Sequence, residues 1–298
     1  METTIFYGNG VNLLGGDGVS WGNLLESISH GKKPLQITSY TLKYESIVLP
    51  LDEKTHPVLR DKLGRRLITS DGFVLCSTED TEIFAIKNKI CNILDEHEPS
   101  YYYDKLVSLK ADNYLTTNYE LFLIYALLNQ GYIIHQSVMD NSLLYKHVVL
   151  QKDNKNVTVW NIHGDIVNPK SIIIGYADYS SYTTNVHRIL EKKRKIKNSW
   201  VNYFFNTNVH IIGYGLADDE MEIWDILVYR ARMIRHTGKQ KNNIYYYLIN
   251  KGKGIQSKKK LLEVLKVIVY VIPYENSYEK TYDNIYNLVY DTMNLHNR

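Results

Sequence analysis

Residues Tyr114–Leu123 read YLTTNYELFL, and the junction inside this stretch decides the fold. An apolar approach runs into Thr116-Thr117-Asn118-Tyr119, and a helical pattern restarts at once. The stretch reads as strand, short loop and helix, with Asn113–Thr116 as the strand and Tyr119–Asn129 as the helix. Asparagine forms neither element well, because its amide competes with the backbone for hydrogen bonds. Two duties suit Asn118 here: capping the helix that follows, or holding something at the end of the strand.

The same strand–loop–helix rhythm extends in both directions. Thr3–Tyr7 is an apolar run that stops in the glycine-rich GNGVNLLGGDG, and Trp21 opens a segment with apolar residues at helical spacing. Downstream, Leu143–Leu150 and Asn156–Ile162 read as strands around the polar turn Lys152–Lys155, with Ser171–Ile174 as a further strand. Tyr182–Phe205 reads as one long helix whose charged part, Arg188–Lys197, faces solvent. The strand Val209–Gly213 leads into an amphipathic helix over Asp218–Ile234. Ile244–Ile249 as strand, Lys258–Leu265 as helix, Val267–Ile272 as strand and Tyr278–Leu295 as helix complete the run. Such alternation predicts an α/β fold, a largely parallel sheet with helices on both faces. Between 31 and 110 the pattern weakens, and only Thr81–Glu98 is a firm helix, with Ile83, Ile86, Ile90, Ile93 and Leu94 on one face. We read 31–110 as an inserted, mostly helical subdomain in a core made of 1–30 and 111–298.

At 298 residues and 44% hydrophobic content the chain can bury a substantial core. A formal net charge of +3 does not announce a nucleic-acid or membrane partner. The basic segments Arg230–Lys241 and Lys251–Lys260 lack aromatic residues in stacking register, so nucleic acid is not an expected partner. No apolar run approaches the roughly 18 residues of a membrane span, and no signal peptide is evident. The expectation is a soluble, cytoplasmic protein. The two cysteines, Cys76 and Cys91, cannot supply a four-cysteine zinc site, so no metal is expected. The chain carries 26 Tyr against 6 Phe, and Tyr101-Tyr102-Tyr103 and Tyr245-Tyr246-Tyr247 suit either interfaces or core.

Ligands of such sheets bind beyond the carboxyl ends of the strands. The strands deliver Gly8-Asn9-Gly10, then Thr116-Thr117-Asn118, then Asn161-Ile162-His163-Gly164-Asp165, and finally Gly213-Tyr214-Gly215-Leu216-Ala217-Asp218. Each alone has a plain reading: glycines make turns, Asn118 and Asp218 cap helices, and His163 sits in a loop. Four polar or glycine-rich strand ends converging on one crevice argue for a site.

GNGVN, LTTNYE, NIHGD and IIGYGLADDE, in this order, resemble the SIR2-like (sirtuin-type) NAD-binding domains, and most of all their bacterial NAD-hydrolysing, anti-phage defence branch. The likeness covers about 3–30 and 110–290. It implies a Rossmann-like core with a helical insertion, and NAD+ as substrate. It places the catalytic pair on Asn118, which would orient the nicotinamide ribose and a water, and on His163, a general base or ribose partner. Gly8, Asn9 and Gly10 would line the pyrophosphate with Asn12 and Thr117 nearby, and Gly213, Tyr214 and Asp218 would border the adenosine half. The chemistry suits these groups: nicotinamide leaves as a neutral molecule, so orientation of ribose and water matters most, and an imidazole suits the proton transfer.

The chain departs from the protein-deacetylating sirtuins in lacking their four zinc cysteines, in Asn9 where they have Ala, in Glu120 for Asp, and in Gly215 for Ser or Thr. The resemblance further implies a homo-oligomer and a separate defence partner such as a translocase-type ATPase. The alternatives are a regulatory module that binds NAD+ or ADP-ribose without turnover, and an ADP-ribosyl- or acyl-transferring enzyme.

Overall fold

The computed structural model describes residues 1–15, 18–29, 37–55 and 81–295. Gly16-Asp17 of the first glycine loop, and 30–36 and 56–80 with Cys76, lie outside the described residues.

Eight strands form one sheet: β1 (Thr3–Tyr7), β2 (Asn113–Thr116), β3 (Ile133–Val138), β4 (His147–Lys152), β5 (Lys155–Asn161), β6 (Asn208–Ile212), β7 (Ile244–Asn250) and β8 (Ile268–Pro273). Their spatial order is β3-β4-β5-β2-β1-β6-β7-β8. From β5 to β8 all neighbours are parallel, while β3 and β4 add an antiparallel edge. The fold is thus Rossmann-like α/β, as the alternation predicts.

Period-two side-chain alternation divides the core between the two faces. Ile5, Tyr7, Tyr114, Tyr245 and Tyr247 point to one face, where α5 (Tyr101–Ser108), α6 (Phe122–Asn129) and α11 (Tyr278–Leu295) cover them. Phe6, Leu115, Trp160, Ile211 and Tyr246 point to the other, under α7 (Tyr176–Glu191), α8 (Tyr203–Asn206), α9 (Met221–Thr237) and α10 (Ile255–Val264). A third cluster joins α2 (Trp21–Ile28), α3 (Tyr40–Thr55) and α4 (Thr81–Asp95) to Tyr119, Ile172 and Ile174. Tyr102, Tyr103 and Tyr245–Tyr247 are core residues; Tyr101 alone of these is exposed.

Several expectations need correction. The helix after β2 begins at Phe122 with Leu121 as its cap, so Asn118 does not cap it. Asn161 Nδ2 donates to the carbonyls of Asn118 (3.0 Å) and Glu120 (3.2 Å), which holds those carbonyls out of helical bonding. Ser171–Ile174 is no strand: Ile173 N–H donates to His163 O (2.9 Å) and Ile173 O accepts from the Tyr119 hydroxyl (2.5 Å). The long helix expected at Tyr182–Phe205 starts earlier, at Tyr176, and ends at Glu191, with Lys192 as its C-cap. Two 3-10 turns follow. The β3 strand was not anticipated; nearly all of it is exposed, so it lacks the apolar alternation that marks a half-buried strand.

Candidate active site

From β1 the chain passes to β2, crosses to the far edge at β3, comes back through β4 to β5 beside β2, and then moves to the other side of β1 at β6. The strand order reverses between β1 and β6, and a crevice opens beyond their carboxyl ends at such a switch point. The four loops that converge there in the sequence are those of the adjacent parallel strands β5, β2, β1 and β6.

The β1 and β6 loops touch. Gly8 N–H donates to Ile212 O (3.1 Å) and Gly10 N–H to Gly213 O (2.8 Å). A Cβ on Gly10 would lie 2.7 Å from Gly213 O, and Gly213 itself has φ 62°, a conformation that favours glycine. Glycine is therefore required here for loop-on-loop packing. The Gly10 amide is engaged in that packing and is not a free anion donor. Asn9 Nδ2 reaches Val19 O (3.0 Å), and Asn12 Nδ2 donates to Asn9 Oδ1 (3.2 Å). The two asparagines thus brace α1 (Asn9–Asn12) against the turn before α2.

A cavity of about 310 Å³ lies over this junction. Asn9, Gly10, Thr117, His163, Gly213 and Tyr214 are on its wall. A second cavity of about 780 Å³ adjoins it, sharing Thr41, Tyr179, Gly215, Ala217 and Asp219, and Asp218 and Lys258 line that one. Asp219 Oδ2 accepts from Ser39 Oγ (2.9 Å), which ties the start of α3 to the β6 loop across both cavities. Lys258 Nζ holds the loop by donating to the carbonyls of Gly215 and Leu216.

Two buried polar clusters stand at the strand ends. His163 Nε2 lies 2.8 Å from Glu222 Oε1, and its Nδ1 lies 3.3 Å from the Tyr179 hydroxyl. His163 and Glu222 are 1% and 0% exposed, so this is an interior pair, not a surface ion pair. In the other cluster, Asn118 Nδ2 (2.7 Å) and the Tyr103 hydroxyl (2.8 Å) both donate to Glu120 Oε1. Burial raises the Glu120 carboxyl, and hydrogen bonds including these two pull it back. Among the described residues Asn118 Oδ1 is buried without a hydrogen-bond partner, an acceptor left open between the cavity residues Thr117 and Tyr119 in the chain. On the cavity wall itself, Glu220 accepts from Ala217 N–H (2.6 Å). Burial first, and then Glu222, pushes its carboxyl up to about 8.

Of the residues singled out from sequence, six share the smaller cavity. Gly8, Asn12 and Asn118 are buried and do not line it. Asp218 lies on the larger cavity and does not cap α9, whose cap is Glu220. Sequence reasoning missed Glu222, Glu220 and Tyr179. Glu222 left one signal: with Ile226 and Arg230 at spacings of four, it falls on the buried face of α9. Among the described residues no group of three His, Cys, Asp or Glu is arranged to hold a metal ion. Cys91 is free and buried.

A switch-point cavity beyond a mainly parallel sheet, with glycine loops from the two strands that flank the reversal, defines a doubly wound, Rossmann-like α/β domain. The family model of the SIR2-like domain matches residues 112–269, more than half of the chain, and the protein belongs to that family. SIR2-like domains bind NAD+ and are NAD-dependent enzymes in general. No curated protein matches the chain. No described helix is long and apolar enough to cross a membrane.

Proposed function

We propose that this protein is an NAD+ glycohydrolase, converting NAD+ and water to nicotinamide and ADP-ribose. The observation that carries the reading is the His163 ring on the wall of the strand-end cavity, backed by the buried carboxyl of Glu222. The bond broken is the N-glycosidic bond, whose electron pair leaves with neutral nicotinamide. The bond formed joins the ribose carbon to the water oxygen, whose proton passes to His163. Asn118, fixed by Glu120 through Nδ2, offers Oδ1 to orient a ribose hydroxyl or the water. The smaller cavity takes the reacting ribose and the larger one, past Gly213–Asp218, the adenosine half.

The likeness of GNGVN, LTTNYE, NIHGD and IIGYGLADDE to the NAD-hydrolysing defence branch supports a role as an effector that depletes NAD+ on phage infection. The same likeness supports control by self-assembly or by a second protein such as a translocase-type ATPase. The test is nicotinamide release from NAD+ by purified protein, beside His163→Ala and Asn118→Ala. Each variant loses at least about 100-fold in kcat, and full activity in either would remove that residue from the mechanism.

A second reading, transfer of ADP-ribose to an acceptor other than water, draws on the size of the adjoining cavity. ADP-ribose covalently attached to an added protein, in place of free ADP-ribose, would favour it.

A further inference from the structure

Among the described residues, His163 is the one hydrogen-bond partner of the buried Glu222 carboxyl. Glu222 sits in the first turn of α9, 0% exposed, on a buried helix face that it shares with Ile223, Ile226, Leu227 and Arg230. Among the described residues its Oε1 is hydrogen-bonded only to the His163 ring, and its Oε2 has no hydrogen-bond partner. A buried carboxyl with an open oxygen destabilises the fold, so an apolar residue there would pack at lower cost. The imidazole is also clamped edge-on by Tyr179 and Tyr182, with ring centroids 5.1 and 5.7 Å away. The ring is thus fixed in plane and in rotation, with one nitrogen against Glu222 and the other turned to the hydroxyl of Tyr179, a residue that lines both cavities.

We infer that Glu222 is a positioning residue that sets the tautomer of His163: it accepts from Nε2–H, so that Nδ1 is left unprotonated as the base facing the Tyr179 hydroxyl and the cavity. A carboxylate oxygen can only accept, which forces the proton onto Nε2. When Nδ1 takes the proton released by the attacking water, the imidazolium keeps its Nε2–H on Glu222, whose charge offsets the one formed. Glu220, held protonated at neutral pH partly by the Glu222 charge, adds no second negative charge to the pair. The catalytic part of this inference rests on the glycohydrolase reading; the tautomer does not.

The test therefore has two arms. In protein labelled with 15N-histidine, long-range proton–nitrogen correlation of the His163 ring shows a protonated Nε2 and a bare Nδ1. In Glu222→Leu the bare signal moves or the two forms mix. A protonated Nδ1 in the wild type, or an unchanged pattern in Glu222→Leu, overturns the inference whether or not NAD+ is turned over. In the kinetic arm, Glu222→Leu lowers kcat about 100-fold with KM for NAD+ within about twofold, and Glu222→Asp recovers about tenfold. A raised KM with kcat intact would make Glu222 a binding group and overturn the positioning role. A wild type with the expected tautomer and no turnover would instead count against the glycohydrolase reading alone. Should Glu222→Leu fail to fold, the wild-type spectrum and the Glu222→Asp kinetics decide.

Discussion

Replacing Gly10 by alanine tests whether the junction of the β1 and β6 loops forms the floor of the site. In an open helix such a change would stabilise by up to about 1 kcal/mol, because alanine loses less backbone entropy. Here the new Cβ would stand 2.3 Å from the Tyr282 hydroxyl, 2.7 Å from Gly213 O and 2.9 Å from Gly213 Cα. The Tyr282 ring can swing aside, but the two Gly213 atoms are backbone. Restoring ordinary contact requires the loops to part by about 0.7 Å, which stretches the Gly10–Gly213 hydrogen bond beyond use. Overpacking of this kind destabilises by about 1–3 kcal/mol and the lost bond by about 1 more. The net loss is about 2–4 kcal/mol, a fall of roughly 5–10 °C in Tm. Gly215→Ala is the matched control: nothing lies within 4 Å of its Cβ position, although the residue borders both cavities. Differential scanning fluorimetry with and without NAD+ reads both variants. Gly10→Ala melts lower and loses the NAD+-induced rise, while Gly215→Ala keeps both within about 1 °C. A Gly10→Ala protein with wild-type Tm and an intact NAD+ response would refute this picture of the crevice.

Further outcomes follow from the buried polar groups. With the Glu220 carboxyl pushed up to about 8, the folded protein holds a proton that the unfolded chain releases above its ordinary glutamate value. Stability therefore falls as pH rises from about 4.5 to about 8 and levels off beyond. Glu220→Gln removes that slope, so its Tm gain over wild type is largest above pH 8 and vanishes toward pH 4.5; a pH-independent difference would contradict the assignment. Arg230, 1% exposed, donates to Asn242 O (2.5 Å), Asn242 Oδ1 (3.3 Å) and Lys266 O (3.1 Å), joining α9 to the loops that precede β7 and β8. Arg230→Ala leaves these acceptors unpaired and destabilises by about 3–5 kcal/mol in urea denaturation. A loss below about 1 kcal/mol would show that the cluster adds little.

Much of the fold was legible because strands and helices with one buried face leave a period. β1, β2 and α11 match the sequence reading to the residue, and the four polar strand ends do meet at one place. The exposed β3 left no such pattern, and the cationic run after Glu191 hid the end of α7 because charged residues also occupy solvated helix faces. In the site, Asn118, His163 and the glycines stood out because they interrupt apolar strands at their carboxyl ends. Glu222 did not, since its partner lies 59 residues away on another element. The engagement of the Gly10 amide by Gly213 O was equally invisible, because only the packed loops reveal which donors remain free.

The measurement that bears most directly on the proposed activity is product stoichiometry: proton NMR of NAD+ incubated with the purified protein, followed over time. Nicotinamide and free ADP-ribose are expected to appear in equal amounts, with neither formed by His163→Ala. NAD+ that binds, protects the protein against thermal unfolding and is recovered intact would contradict the proposed activity.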